Sequence, residues 1–262
     1  MHRRAVAVAA AGVVAAVLAG CSGSSAPAAA DGTSGQAAGI QVDDPAPVTE
    51  AGARTRVVVQ VDGQGVPLTV VLPDDYAAGR TAPLLLALPP GGQGQSEVDA
   101  LLDKYWAADA QRRGWVVVSP EAPGSGLFIS GESADLLPDL VDAVERWYPP
   151  EGGRLHVAGV SNGGLSAWRY ALDHPGKVRS LLAAPGYPPE SGDEADVAKL
   201  ADVPVLLVVG GDDTGWRDAM TTTRDDLRAA GGQVRLIVSP GEGHIFEHVT
   251  AATLWKFLQS SR

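Results

Sequence analysis

Cysteine occurs once in the 262 residues, at Cys21, so no intramolecular disulfide can form. Basic residues are the minority, 20 Lys and Arg against 31 Asp and Glu, for a net charge of −11. They form no cluster, which excludes the basic face that nucleic-acid binding needs. The uncharged run Ala5–Ala19 has fifteen residues and is short for a membrane-spanning helix. No His, Cys and Asp stand at metal-ligand spacing, so neither a metal nor an organic cofactor is expected. No internal repeat is present. What remains, 45% hydrophobic and 19% charged, suffices for one domain with a substantial core and excludes whole-chain disorder.

The chain opens with His2, Arg3 and Arg4, followed by the small-apolar run Ala5–Ala19 and then Leu18-Ala19-Gly20-Cys21. A basic start and a short apolar core describe a secretory leader. Its end resembles the lipobox of bacterial lipoproteins. The resemblance implies cleavage before Cys21, acylation of that residue by chains such as palmitate, and anchoring on the extracytoplasmic side of the cell membrane. Residues 1–20 are thus expected to be removed. Residues 21–50, rich in Ser, Gly, Ala and Pro, are expected to be the lipidated Cys and a flexible tether. Residues 51–262 are left as the folded domain.

Within it, Thr55–Val61 and Val66–Leu72 are β-rich runs joined by Asp62-Gly63-Gln64-Gly65, which predicts a hairpin. Strands are then predicted at 83–88, 115–119, 154–160, 178–183, 203–209 and 233–238. Helices are predicted at 96–113, 132–147, 162–173, 214–230 and 246–259. Continuously apolar strands alternating with helices indicate a doubly wound, mostly parallel α/β sheet between helical layers. Ligands bind such sheets at the carboxyl ends of the strands. The loops to inspect therefore follow Leu88, Ser119, Val160, Val209 and Val238.

Gly159-Val160-Ser161-Asn162-Gly163-Gly164 contains Gly-x-Ser-x-Gly between a predicted strand and a predicted helix. That is the setting of a nucleophile elbow; the plain alternative is a turn with an N-capping serine. A serine hydroxyl needs a base, and the base needs an orienting carboxylate. Of five histidines, His2 lies in the leader, His156 inside a strand, His174 at a helix end and His248 on the predicted last helix. His244, in the loop Ser239-Pro240-Gly241-Glu242-Gly243-His244 after the last strand, is the candidate base. Asp213, with Asp212 as its alternative, follows VPVLLVVG and is the candidate acid; Asp218 falls on the next helix, and one of the Asp pair could cap that helix. The backbone N–H of Asn162 and that of Gly91, or else Gly92, are candidate oxyanion donors. Pro89 and Pro90 have no N–H to give. The Gly-rich loop lacks the lysine of a phosphate-binding loop.

PLLLALPPGGQG, GVSNGG, VVGGDD and GEGHIF resemble the α/β-hydrolase fold serine esterases. More narrowly, they are similar to the polyhydroxybutyrate-depolymerase and feruloyl-esterase-like group. The resemblance implies ester hydrolysis through an acyl-enzyme, with Ser161, Asp213 and His244 as the triad. The group commonly has His-Gly where Pro89-Pro90 stands. Only about twenty residues separate the strands ending near Ala183 and starting at Val203, which leaves no room for a large lid. Trp216, Tyr187, Phe128, Ile245 and Phe246 are candidates either to line the cleft or to pack. Two other classes fit the same residues: an envelope acyltransferase and a non-catalytic binding lipoprotein.

Overall fold

The computed structural model describes residues 47–190 and 196–262. The leader, Cys21 and the tether as far as residue 46 lie outside the described residues. Val48 packs against the core, and its carbonyl accepts the Tyr148 hydroxyl at 3.0 Å.

β1 (Arg54–Val61) and β2 (Gln64–Val71) form the antiparallel hairpin. Its loop is two residues, where four were expected. Asp62 and Gly63 both take positive φ (48° and 77°), as a tight twist-matched turn requires, so the ladder closes at once on Gln64. β3 (Leu84–Leu88), β4 (Val116–Pro120), β5 (Leu155–Gly159), β6 (Val178–Ala183), β7 (Val205–Gly210) and β8 (Val234–Ser239) complete one eight-stranded sheet. Their order is β1-β2-β4-β3-β5-β6-β7-β8, and only β2 runs against its neighbours. The chain leaves β3 for one side of the sheet and returns to its other side, and that reversal opens a crevice at the strands' carboxyl ends.

β3, β4, β5 and β7 are buried along their whole length, as the unbroken apolar runs foretell. β8 is not: it forms the sheet edge, and Val238 is 41% exposed. One face of the sheet is covered by α3 (Gly131–Trp147), α4 (Asn162–Asp173) and α5 (Thr214–Ala229). The other is covered by α1 (Gln95–Leu101), α2 (Ala107–Arg113) and α6 (Ala251–Ser260). Trp106, Trp115 and Trp255 pack edge to face there, with ring centroids 5.7 and 5.2 Å apart.

Two further expectations need correction. The helix predicted at 96–113 is interrupted by a π-helical turn, Leu102–Trp106, between α1 and α2. Val98, Leu101, Leu102, Trp106 and Ala110 are all still buried. Apolar spacing reports which residues face inward and is blind to one residue of extra winding. The last helix begins at Ala251, not Phe246. Phe246 is buried from a loop, and His248 lies on that loop rather than on a helix. Between β6 and β7 the described residues include a short 3-10 turn, Val197–Leu200.

Candidate active site

The elbow is built as the motif demands. β5 ends at Gly159, and Ser161 takes φ 55°, ψ −120° before α4 starts at Asn162. That is a strained backbone for a non-glycine residue, held by its surroundings. Ser161 N–H donates to Pro185 O at 3.0 Å, and its carbonyl accepts Leu165 N–H at 3.0 Å. Tight packing explains the flanking glycines. A β-carbon on Gly159 would fall 1.9 Å from Gly163 O, and one on Gly163 would fall 2.1 Å from Leu88 O.

Ser161 Oγ lies 2.8 Å from His244 Nε2, and His244 Nδ1 lies 2.7 Å from Asp213 Oδ2. A carboxylate only accepts, so Nδ1 carries the proton and Nε2 is left to accept from the serine hydroxyl. Asp213 occupies the N-cap position of α5, yet its carboxylate makes no cap bond and faces His244 instead. Asp212 is exposed; its backbone N–H donates to Glu242 O at 2.8 Å. Asp218 is exposed and pairs with Arg217.

The loop carrying His244 is organised by a residue the sequence did not single out. Glu242 is 8% exposed. Its carboxylate accepts the Ser239 hydroxyl, Glu247 N–H and, at 3.0 Å, His248 N–H. Burial pushes this carboxyl up, but those hydrogen bonds outweigh it and hold the group below the usual glutamate range. His248 Nδ1 lies 3.3 Å from the same carboxylate. Being the one charged residue between Ser239 and His244 was the only mark the sequence offered.

His156 is buried, bonded through Nδ1 to Ser180 Oγ at 2.7 Å and packed at a tilt against the Trp115 ring. Burial lowers its pKa to about 3, so it is a neutral core group. His174 ends α4 beside the Tyr170 ring, apart from the site.

Ser161 and His244 open on a cleft of about 370 Å³ whose exposed surface is mostly apolar. The π-helical turn and the end of α1 supply one wall, with Leu101 and Tyr105; Val160, Ile245 and Phe246 supply others. Lys104 stands at this cleft and pairs with Glu247 at 3.1 Å. On another side of His244, Trp216 packs edge-on against the imidazole at 4.8 Å and against Tyr187 at 5.0 Å. Phe128 is buried core. Gly91 lines the cleft; Gly92 is not among its lining residues. Among the described residues neither Asn162 N–H nor Gly91 N–H is taken up by a protein acceptor. No group of three or more His, Cys, Asp or Glu among the described residues could hold a metal ion.

An eight-stranded sheet in this order, with a serine elbow after β5, an aspartate after β7 and a histidine after β8, is the α/β-hydrolase fold. Solved structures agree on the fold. A thermostable esterase superposes with a TM-score of 0.62 at 18% identity, covering 72% of this chain and 54% of that one. A protein described as a dienelactone hydrolase, from Klebsiella pneumoniae, gives 0.60 at 18% identity over 79% and 97%. The feruloyl esterase module from Clostridium thermocellum gives 0.58 at 14% over 85% and 92%. No protein-family profile matches the chain. Among curated proteins, a Salmonella typhimurium protein named as a carboxymethylenebutenolidase is 33% identical over 137 residues, 47% of this chain and 48% of that protein. Its namesake in Escherichia coli K12 is 31% identical over 134 residues, with the same coverage. The chain spans about half the length of the curated relatives it matches.

Proposed function

We propose that the protein is a serine-type carboxylic-ester hydrolase, lipidated at Cys21 and held on the extracytoplasmic side of the membrane. The observation that carries the catalytic part is the continuous contact Ser161–His244–Asp213, at 2.8 and 2.7 Å, opening on a cleft that Gly91 lines, with the N–H groups of Gly91 and of Asn162, next in the chain to Ser161, both unengaged. The names of the curated relatives and of several solved structures support an ester substrate. The feruloyl esterases among the latter share the fold, as the other esterase and the dienelactone hydrolase do, so the narrower affiliation rests on the motifs PLLLALPPGGQG, GVSNGG, VVGGDD and GEGHIF alone.

In this reading His244 Nε2 takes the proton of Ser161 as Oγ bonds to the ester carbonyl carbon. The carbonyl oxygen becomes an oxyanion facing the N–H groups of Asn162 and Gly91. Collapse breaks the carbon–alkoxy bond, and His244 gives its proton to the departing alcohol. Water then loses a proton to His244 and attacks the acyl carbon. Ser161 leaves with that proton, and the carboxylic acid is released. Asp213 keeps the imidazole in the needed tautomer throughout.

The apolar cleft beside Ser161 suits the acyl part of the ester. Its volume sits at the small end of ligand sites, roughly 300–1,000 Å³. Each buried methylene contributes about 0.8 kcal/mol, or about fourfold in kcat/KM, until the cleft is full. The test is hydrolysis of p-nitrophenyl acetate, butyrate, hexanoate and octanoate by the full chain, with fluorophosphonate labelling. Turnover rising from acetate and then levelling, with turnover and label both lost in Ser161→Ala, is the expected result. A folded chain that shows neither overturns the proposal. Labelling with ester consumed only when an acceptor alcohol is added replaces hydrolysis by acyl transfer.

A further inference from the structure

The loop that offers the Gly91 donor starts with two prolines and continues with two glycines, a sequence with little intrinsic preference for one shape. Side-chain amides from two directions hold it. Pro90 O accepts Gln93 N–H at 3.0 Å, closing a turn in which Gly91 has φ 58°. In a trans peptide the N–H points opposite to the carbonyl. With Pro90 O turned inward to Gln93, the Gly91 N–H of the same peptide is turned outward. The next carbonyl, Gly91 O, accepts Asn162 Nδ2 at 2.8 Å. Only the amide nitrogen of Asn162 can face a carbonyl, so the orientation of this side chain is settled by its partner.

Behind the loop, Gln93 is fully buried in a left-handed conformation at φ 57°. Its Nε2 donates to Pro89 O at 3.2 Å and to Ser166 Oγ at 3.0 Å. Its Oε1 accepts Phe128 N–H at 2.7 Å, and its own carbonyl accepts Ala122 N–H at 2.9 Å. Ser166 Oγ in turn donates to Asn162 O at 2.9 Å. A closed circuit results: Asn162 side chain to Gly91, loop to Gln93, Gln93 to Ser166, and Ser166 back to Asn162.

From this circuit we infer that the Asn162 side chain is a positioning group for the oxyanion site. The residue whose backbone N–H is one donor fixes, through its amide, the loop that presents the other. Gln93 and Ser166 anchor the far side. The inference rests on the reading of Ser161 as nucleophile and adds a role that the nucleophile motif, where Asn162 is a free position, does not specify. It also accounts for a Pro-Pro loop presenting an ordered donor: the prolines remove N–H groups and stiffen φ, and the two amides do the rest.

Replacing Asn162 by Ala leaves its backbone N–H in place and removes the clamp, at a half-buried helix start; a circular-dichroism spectrum and thermal midpoint like the wild type's establish that the variant is folded. Deleting a whole oxyanion donor typically costs about 10²–10³ in kcat. Loosening one should cost less, about 10- to 100-fold, with KM within about twofold. The affinity for a butyl trifluoromethyl ketone, which adds to Ser161 and places an oxyanion in the site, should fall by the same factor as kcat/KM. Butyrate, which tests ground-state binding, should bind unchanged. Asn162→Asp should be worse than Asn162→Ala, since a carboxylate cannot donate to Gly91 O and sets a negative charge beside the oxyanion. Ser166→Ala should show a smaller loss with the same signature.

An Asn162→Ala enzyme whose kcat stays within twofold overturns the inference. So does a loss of kcat with trifluoromethyl ketone affinity retained. Both outcomes presuppose a wild-type chain that hydrolyses esters and is labelled at Ser161. Failure of that control strikes the reading of the site itself.

Discussion

The carbonyl of Glu242 accepts the backbone N–H of Asp212 at 2.8 Å, tying the loop that carries His244 to the loop that carries Asp213. The bond joins residues next to, and two before, the His–Asp contact and does not use either of those side chains. The close approach explains Gly210, where a β-carbon would stand 2.0 Å from Gly243 O. His244 and Asp213 are thus brought together by main chain, and their side chains need only complete the contact.

The two neighbouring aspartates should separate cleanly on substitution. Asp213→Asn would leave an amide beside His244 and favour the wrong imidazole tautomer. By comparison with serine hydrolases a loss of about 10³–10⁴ in kcat is expected. Asp212→Asn, at an exposed side chain held through its backbone, should cost less than about tenfold. Steady-state kinetics of both on p-nitrophenyl butyrate decides; a larger loss in Asp212→Asn than in Asp213→Asn would reverse the assignment.

Glu242 should make stability depend on acid. Its carboxyl is held below the ordinary value of 4.5 in the folded state, so the unfolded chain binds the proton first as pH falls. The contribution is fully present above the ordinary glutamate range and is lost as pH drops through the folded value. Glu242→Gln should lower the thermal midpoint at pH 7, and the gap from wild type should close below pH 4.5. Thermal melts followed by circular dichroism across that range test this. A gap that persists at low pH would show that charge is irrelevant there.

His156 acts in a second window. With its folded pKa near 3 against an unfolded value of about 6.5, the unfolded state takes up a proton that the fold refuses. Stability should therefore decline on acidification below about pH 6.5, with a limiting slope of about 1.4 kcal/mol per pH unit. His156→Gln should flatten that decline in urea titrations at pH 4.5–7. An unchanged slope in the variant would assign the acid sensitivity elsewhere.

Gly159 should tolerate no side chain. A methyl group there would collide with the backbone of the first turn of α4, which cannot move without displacing Ser161. Gly159→Ala is expected to cost at least about 1–3 kcal/mol, the usual range for overpacking, and to abolish fluorophosphonate labelling. Wild-type labelling by this variant would refute the need for close approach.

Cys21 carries the proposal about location. A bacterial host fed radiolabelled palmitate should label the full chain, and Cys21→Ser should remove the label and release the protein from the membrane fraction. An unlabelled wild-type chain in the soluble fraction would leave Cys21 an ordinary thiol.

Much of this architecture was readable along the chain. Apolar runs such as LLLAL and VLLVVG can be buried strands over so short a length, and they alternate with amphipathic helices, so the layered sheet follows from local pattern. The elbow was legible for the same reason. A strand, a tight turn flanked by glycines and a helix are neighbours in sequence, and Ser161 sits between them. His244 was found through its place after the last strand and the poverty of alternatives among five histidines. The extent of the hairpin turn, the start of α6 and the π turn were less legible, because each is an adjustment of one to five residues that leaves the periodicity intact.

Sequence order by itself determined which strands and helices exist and which loops reach the carboxyl edge, because those depend on contacts between near neighbours and on burial of each element's apolar face. Which of Asp212 and Asp213 meets His244, the exclusion of Gly92 from the cleft wall and the hydrogen-bond partners of Gln93 and Glu242 were decided only in three dimensions. Each depends on where a side chain points after the chain has crossed the sheet and returned, and on partners 3 to 73 residues away. Hydrogen bonds of that kind leave no periodic trace, since they require single polar atoms within about 3 Å of one another. Folding brings them there through the packing of the apolar layers that the sequence does spell out.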